Sequence, residues 1–197
     1  MSFDTVFEFE KRIAEYFGSP YVISTDSCTH AIELCLRYEN PETVSIPQHT
    51  YISIPFTLIK CGIDFSWQEN YWQDYYNISN TNIIDGAVYW KIQGYIPGSL
   101  LCLSFQHKKQ LSLGRGGAIL LDNKEKYESL SRMRYDGRDL SRPWAEQDFT
   151  EIGYHYYMTP ETAQLGIEKL KDINPSQSKT WSWQDYPDLT KLTVFKK

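Results

Sequence analysis

Ser104-Phe-Gln-His-Lys-Lys109-Gln-Leu-Ser-Leu-Gly-Arg-Gly-Gly117 places a pair of lysines and a glycine-rich turn between two aliphatic runs. Leu100–Phe105 leads into it and Ala118–Asp122 leads out of it, each short, continuous and apolar, as a strand is. The segment therefore joins two strands, and Gly114, Gly116 and Gly117 mark a tight bend between them. A lysine after a strand is nearly always a surface charge. What surrounds Lys109 decides whether it is anything else.

Working outward, strands alternate with helices. Phe7, Phe9, Ile13, Ala14 and Phe17 recur at helical spacing and predict a helix over Phe3–Phe17, ended by Gly18-Ser-Pro20. Tyr21–Thr25 reads as a strand that runs into the capping cluster Asp26-Ser27-Cys28-Thr29 and a helix over Ala31–Arg37. Thr43–Pro47 and Ile63–Trp67 read as strands about a helix over Ser53–Lys60, which holds Pro55 in its first turn. Gln68–Asn80 is polar and aromatic without a period and reads as a loop. Asn82–Asp85 is a short strand ending in an acid, Lys124–Arg134 and Pro160–Leu170 read as helices, and Pro175 opens a polar tail. This alternation predicts an α/β fold with a mostly parallel sheet flanked by helices. Ligands in such folds sit at the carboxyl ends of the strands. Ser27, Gln48, Asp85 and Ser104 all fall there.

Composition narrows the classes. The formal charge is -5, and no basic run exceeds Lys108-Lys109 or Lys196-Lys197, so no nucleic-acid surface is expected. The four cysteines and four histidines are dispersed, and no metal is expected. No apolar run approaches the roughly eighteen residues that span a bilayer. Met1-Ser-Phe-Asp-Thr opens on polar and acidic residues, unlike a secretory leader. The expectation is a soluble cytoplasmic chain with no membrane partner. Fifteen tyrosines and six tryptophans are many for the length and point to ring-padded cores and interfaces.

The strand-end residues match, in order, the needs of a pyridoxal phosphate site. Such a site takes an amine for the aldehyde, an acid for the ring nitrogen, donors for the phosphate and a ring to cover the cofactor's face. Lys109 offers the amine and Asp85 the acid. Ser27 and Thr29 begin a helix, where amides and dipole favour a phosphate, and Ser104 adds a hydroxyl. Tyr51, just past a strand, offers the covering ring. Taken singly, each has an ordinary reading: a solvated acid, a helix cap, a bend. Order and spacing together favour the site.

These segments resemble the DegT–StrS family of nucleotide-sugar aminotransferases. Ser104-Phe105, Lys109 and Gly114-x-Gly116-Gly117 look like its S-F-H-x-x-K-x-x-x-x-G-E-G-G stretch, and its Schiff-base lysine falls on Lys109. Asp85-Gly-Ala is similar to E-D-A-A-Q, and Ser27-Cys28-Thr29-His-Ala31 to the phosphate loop S-G-T-x-A. Pro47-Gln-His-Thr50-Tyr51 resembles the segment that carries the stacking aromatic. Phe9–Gly18 is similar to the family's first helix, and the stretch from Gly153 to Leu170 to its G-x-N-Y-R-M-T helix. The resemblance covers roughly Phe9 to Asn174. It implies the type I pyridoxal phosphate transferase fold and pyridoxal phosphate bound by Ser27, Cys28, Thr29, Tyr51, Asp85, Ser104 and Lys109. It also implies a homodimer with the site at the interface, His155 reaching the neighbouring subunit's phosphate. The implied substrates are a keto-sugar nucleotide and an amino-acid donor, commonly glutamate.

The sequence also departs from the pattern. Cys28 replaces the phosphate-loop glycine, Val88 a glutamine, Gln106 a histidine and Arg115 the glutamate of G-E-G-G. His155 and Tyr157 stand where the family has asparagine and arginine. The chain is short for the family, with a reduced large domain over 1–174 and a tail or small-domain remnant over 175–197. Two alternatives follow: a non-catalytic binder of pyridoxal phosphate or a sugar nucleotide, and a sugar dehydratase, a sister activity with histidine in place of the lysine.

Overall fold

The computed structural model describes residues 2–174 and 179–196. The predicted helices form where the apolar spacing placed them. α1 spans Asp4–Phe17 and buries Val6, Phe9, Ile13 and Phe17 along one stripe. β1 (Tyr21–Thr25) passes through Ser27, whose side chain accepts the His30 N–H and caps α2 (Cys28–Glu39). α2 thus starts three residues earlier than the sequence predicts: the cap is Ser27 itself, and Cys28 and Thr29 lie in the first turn. β2 (Thr43–Pro47), α3 (Ser53–Cys61) and β3 (Asp64–Gln68) follow as expected.

The stretch predicted to be a loop contains β4 (Tyr76–Asn77). β4 pairs antiparallel with β5 (Ile83–Gly86) and sets Tyr76 opposite Asp85. Beyond β5 come β6 (Leu100–Ser104), β7 (Gly117–Leu121), α4 (Lys124–Met133) and α5 (Pro160–Leu170).

The main sheet runs β1-β7-β6-β5-β4, and β2 and β3 form a separate parallel pair. β1, β6 and β5 point the same way, whereas β7 and β4 run against them. The sheet is therefore mixed rather than mostly parallel as the sequence predicts: only β5 and β6 pair parallel, because β7 inserts antiparallel between β1 and β6 and β4 returns antiparallel to β5. Alternate side chains divide between two cores. Ile23, Ile83, Leu100, Cys102, Ile119 and Leu121 pack with α2, α3 and α4 on one face. Val22, Ile84, Leu101, Leu103, Ala118 and Leu120 pack with α1 and α5 on the other. Helices on both faces leave the strand ends as the accessible rim.

One glycine fixes where the sheet meets α2. A Cβ on Gly117 would lie 2.5 Å from the Ser27 carbonyl carbon and 2.7 Å from Cys28 Cα. Only glycine lets the start of β7 press against the start of α2.

Residues 179–196 fold back as short turns of tight helix rather than trailing away. The Asp74 N–H bonds the Trp181 carbonyl, the Trp183 N–H bonds the Trp72 carbonyl, and the Leu189 N–H bonds the Gln48 carbonyl. Leu189 is buried. Among the described residues no helix is long and apolar enough to cross a membrane. Nor do three or more His, Cys, Asp or Glu side chains gather to hold a metal.

Candidate active site

The ends of β1, β5 and β6, the start of α2 and the returning segment at Trp181–Tyr186 surround one cavity of about 370 Å³. Ser27, Cys28, Thr29, Tyr51, Asp85, Ser104 and Lys109 all line it. His155 does not. It stands exposed with Nδ1 2.9 Å from Asp136 Oδ2, beside the Tyr135 and Tyr157 rings.

The two neighbouring lysines differ in their surroundings. Lys108 is exposed, and Lys109 is half-buried, its amine 5.3 Å from the centre of the Trp181 ring. Burial lowers the Lys109 pKa, Cys28 and Asp85 pull it back up, and the charge on Lys108 lowers it further. The net shift is downward. This enlarges the fraction of amine free to attack a carbonyl or take a proton near neutrality.

Asp85 is buried at the end of β5. Its Oδ2 accepts the Tyr76 hydroxyl at 2.6 Å and its Oδ1 accepts the Ala87 N–H at 2.9 Å. Burial raises its pKa above the ordinary aspartate value, and these two bonds and the Lys109 charge offset only part of that rise. No salt bridge reaches Asp85 among the described residues. A carboxylate buried among neutral donors and facing a cavity suits a cationic ring nitrogen.

The start of α2 forms the polar end of the cavity. The amides of a first turn have no partner within the helix, and the dipole favours an anion there. Thr29 Oγ1 lies 3.0 Å from Ser53 Oγ, so two hydroxyls share that end. Arg115, where the family pattern has a glutamate, lies 2.8 Å from Asp26 Oδ2, and Asp26 Oδ1 holds His30 Nδ1 at 2.5 Å. His30 stacks on Tyr156, ring centres 3.7 Å apart. Arg115 thus lines the cavity with its charge balanced by Asp26. Burial keeps the Cys28 thiol protonated, its pKa well above the ordinary value. The cavity is therefore equipped to hold a flat, phosphorylated aldehyde with a ring nitrogen, which is the donor set of pyridoxal phosphate.

Several lining residues escaped the sequence reading. Thr50, Trp72, Tyr76, Trp181 and Tyr186 all contribute to the wall. Tyr76 carried little signal: the alternation of buried Tyr76, exposed Asn77 and buried Ile78 is too short to mark a strand in the sequence. Trp181 and Tyr186 carried none, because their burial depends on distant partners.

Comparison with known proteins gives a consistent picture. A sequence model of the DegT/DnrJ/EryC1/StrS aminotransferase family matches residues 1–83 and 91–187. The chain is similar to the UDP-4-amino-4,6-dideoxy-N-acetyl-beta-L-altrosamine transaminase of Campylobacter jejuni, with 30% identity over 94 residues, 48% of this chain and 25% of that protein. In structure it is similar to AtS13 from Actinomadura melliaura, with a TM-score of 0.75 at 22% identity over 86% of this chain and 60% of that one. It is also similar to the putative sugar aminotransferase Spr1654 from Streptococcus pneumoniae in its PLP form, with a TM-score of 0.70 at 17% identity over 86% of this chain and 59% of that one. The chain thus spans about a quarter of the transaminase and about three fifths of the two solved structures.

Proposed function

This chain belongs to the DegT/DnrJ/EryC1/StrS aminotransferase family, and on that premise we propose that it transfers an amino group from an amino acid, glutamate by preference, to a keto-sugar carried on a nucleotide. The observation that carries the reading is a half-buried lysine and a buried carboxylate facing one cavity closed at its polar end by a helix start. Pyridoxal phosphate, when bound, supplies an electron sink for the substrate carbon that loses a proton.

The chain's own residues do the rest. Lys109 would hold the aldehyde, and its amine, beside the Trp181 ring, would take and return the substrate proton. Asp85 holds the ring nitrogen charged. Ser27, Thr29 and Ser104 would hold the phosphate, aided by the α2 dipole. Tyr51 covers the ring face, and its exposed side leaves room for the sugar nucleotide. His155 serves a second copy of the chain, because it points away from its own cavity and toward solvent. The cysteines Cys28, Cys35, Cys61 and Cys102 are free thiols, which suits the reducing cytoplasm.

The test is optical. The purified chain with pyridoxal phosphate gains a visible band, which Lys108→Ala keeps and Lys109→Ala loses. Loss of that band on adding glutamate shows amino transfer. Absence of the band in the unmutated chain overturns the reading. A non-catalytic binder is the second reading, favoured by the chain covering only 60% of AtS13 and by the altered Val88, Arg115, His155 and Tyr157. It predicts a band that glutamate leaves unchanged.

A further inference from the structure

Three hydroxyl or carboxyl groups stand in line at the floor of the cavity. Thr50 Oγ1 lies 2.5 Å from the Tyr76 hydroxyl, and that hydroxyl lies 2.6 Å from Asp85 Oδ2. Their exposures are 1%, 4% and 6%, so bulk water does not compete for these bonds. They come from three separate places: the loop after β2, β4 and the end of β5. Tyr76 and Asp85 are cross-strand partners, which fixes the ring against the carboxylate through the backbone register.

Donor counting gives the line a direction. An ionised carboxylate only accepts, and a phenol has one proton to donate. Tyr76 therefore donates to Asp85 and must accept from Thr50. The second carboxylate oxygen is taken by the Ala87 N–H. Each oxygen thus has a partner, and the two bonds together hold the group in one orientation.

We propose that Tyr76, backed by Thr50, is the positioning residue of this site: it keeps Asp85 ionised and oriented toward the cavity. Its role in the reaction rests on the reading above, in which Asp85 meets the cofactor's ring nitrogen. The line of bonds itself does not depend on it. The other groups facing Asp85 do not supply this function. Lys109, from the loop after β6, favours the ionised form through space. Cys28 on α2 and Cys102 on β6 are buried thiols held protonated. Tyr186, from the returning segment, has its proton affinity raised by burial and then by Asp85 itself.

The test uses the full chain without cofactor, with aspartate carboxyl carbons isotope-labelled and followed by NMR across pH; Asp85→Asn assigns the resonance. Tyr76→Phe keeps the ring against Trp72 and removes only the hydroxyl. The Asp85 midpoint is expected to rise by about one pH unit, roughly a tenfold gain in proton affinity. Thr50→Val, a gentler change, is expected to raise it less. Pyridoxal phosphate affinity should fall about tenfold in Tyr76→Phe at acidic pH. A buffer about one pH unit less acidic should restore the share lost to protonation while leaving the share lost to misorientation. A residue of purely structural use would lower the melting temperature and leave the midpoint in place, and that result in either variant overturns the proposal. If the unmutated chain binds no cofactor but the midpoint still rises, the line of bonds stands and only the aminotransferase reading falls.

Discussion

Gly117→Ala tests the join between sheet and cofactor end with a single methyl group. The added carbon would sit 2.5 Å from the Ser27 carbonyl carbon and 2.7 Å from Cys28 Cα, against an ordinary contact near 3.4 Å or more. Both neighbours are backbone, so no side chain can turn aside, and the start of α2 must retreat from β7 by most of an ångström. Overpacking of this kind costs about 1–3 kcal/mol. The retreat also carries the Ser27 and Thr29 hydroxyls away from the cavity, and displacements of about 1 Å commonly cost a hundredfold in site function. Gly114→Ala is the control. Its φ is +83 and nothing lies within 4 Å of the added carbon, so it bears only the left-handed backbone cost of about 1–2 kcal/mol. Urea unfolding and spectroscopic titration with pyridoxal phosphate read the two effects separately. Gly117→Ala should lose both stability and affinity, and Gly114→Ala stability alone. Unchanged affinity in Gly117→Ala would refute the idea that the start of α2 is placed by this contact.

Other outcomes follow from particular contacts. Glu10→Ala strands the buried Arg134 guanidinium, which otherwise bonds Glu10 and the Ser24 carbonyl, and should cost about 3–5 kcal/mol in denaturant unfolding. Burial pushes the Glu33 carboxyl up, but bonds from Lys60, Arg37 and Tyr156 outweigh it and leave its pKa lowered in the fold. Its contribution is therefore present above the ordinary glutamate value near 4.3 and lost as pH falls below it; Glu33→Gln should flatten acid unfolding there. The lowered Lys109 pKa predicts that the rate of reaction with pyridoxal phosphate levels off at a lower pH than for an ordinary lysine near 10.4. A stopped-flow pH profile still rising at that value would count against it. Leu189→Ala removes a buried anchor of the returning segment, and proteolysis within 179–196 should quicken.

Much of the site was legible because its residues follow local rules. Strands such as Tyr21–Thr25 and Thr43–Pro47, each covered by helices, announce themselves as apolar runs, and the residues after them fall at the rim. Ser27 was legible as a cap, and Lys109 stood out from Lys108 by its place in the motif; half-burial against full exposure then separated the two. What stayed hidden depends on partners far away in the chain. β4 is too short to show a strand pattern, so Tyr76 gained meaning only when paired with Asp85. Trp181 and Tyr186 read as parts of a polar tail because nothing nearby shows that they are held by backbone bonds to Asp74 and Trp72 and by the edge at Gln48. The reversed direction of β7 was equally hidden, because an apolar run reads the same both ways.

The place of β7 has a consequence for how the chain is made. Among the described residues β1 pairs within the main sheet only with β7, so Tyr21–Thr25 stays an open edge until Gly117–Leu121 has emerged from the ribosome. Long-range pairings of this kind close slowly, on a scale of roughly milliseconds to seconds, and expose apolar edges in the meantime. Because closure also brings Gly117 against Ser27 and Cys28, the anion end of the cavity matures in the same step. Recovery of cofactor binding after dilution from denaturant should therefore keep pace with closure of the whole sheet, making the ligand a clock for the slowest event in folding.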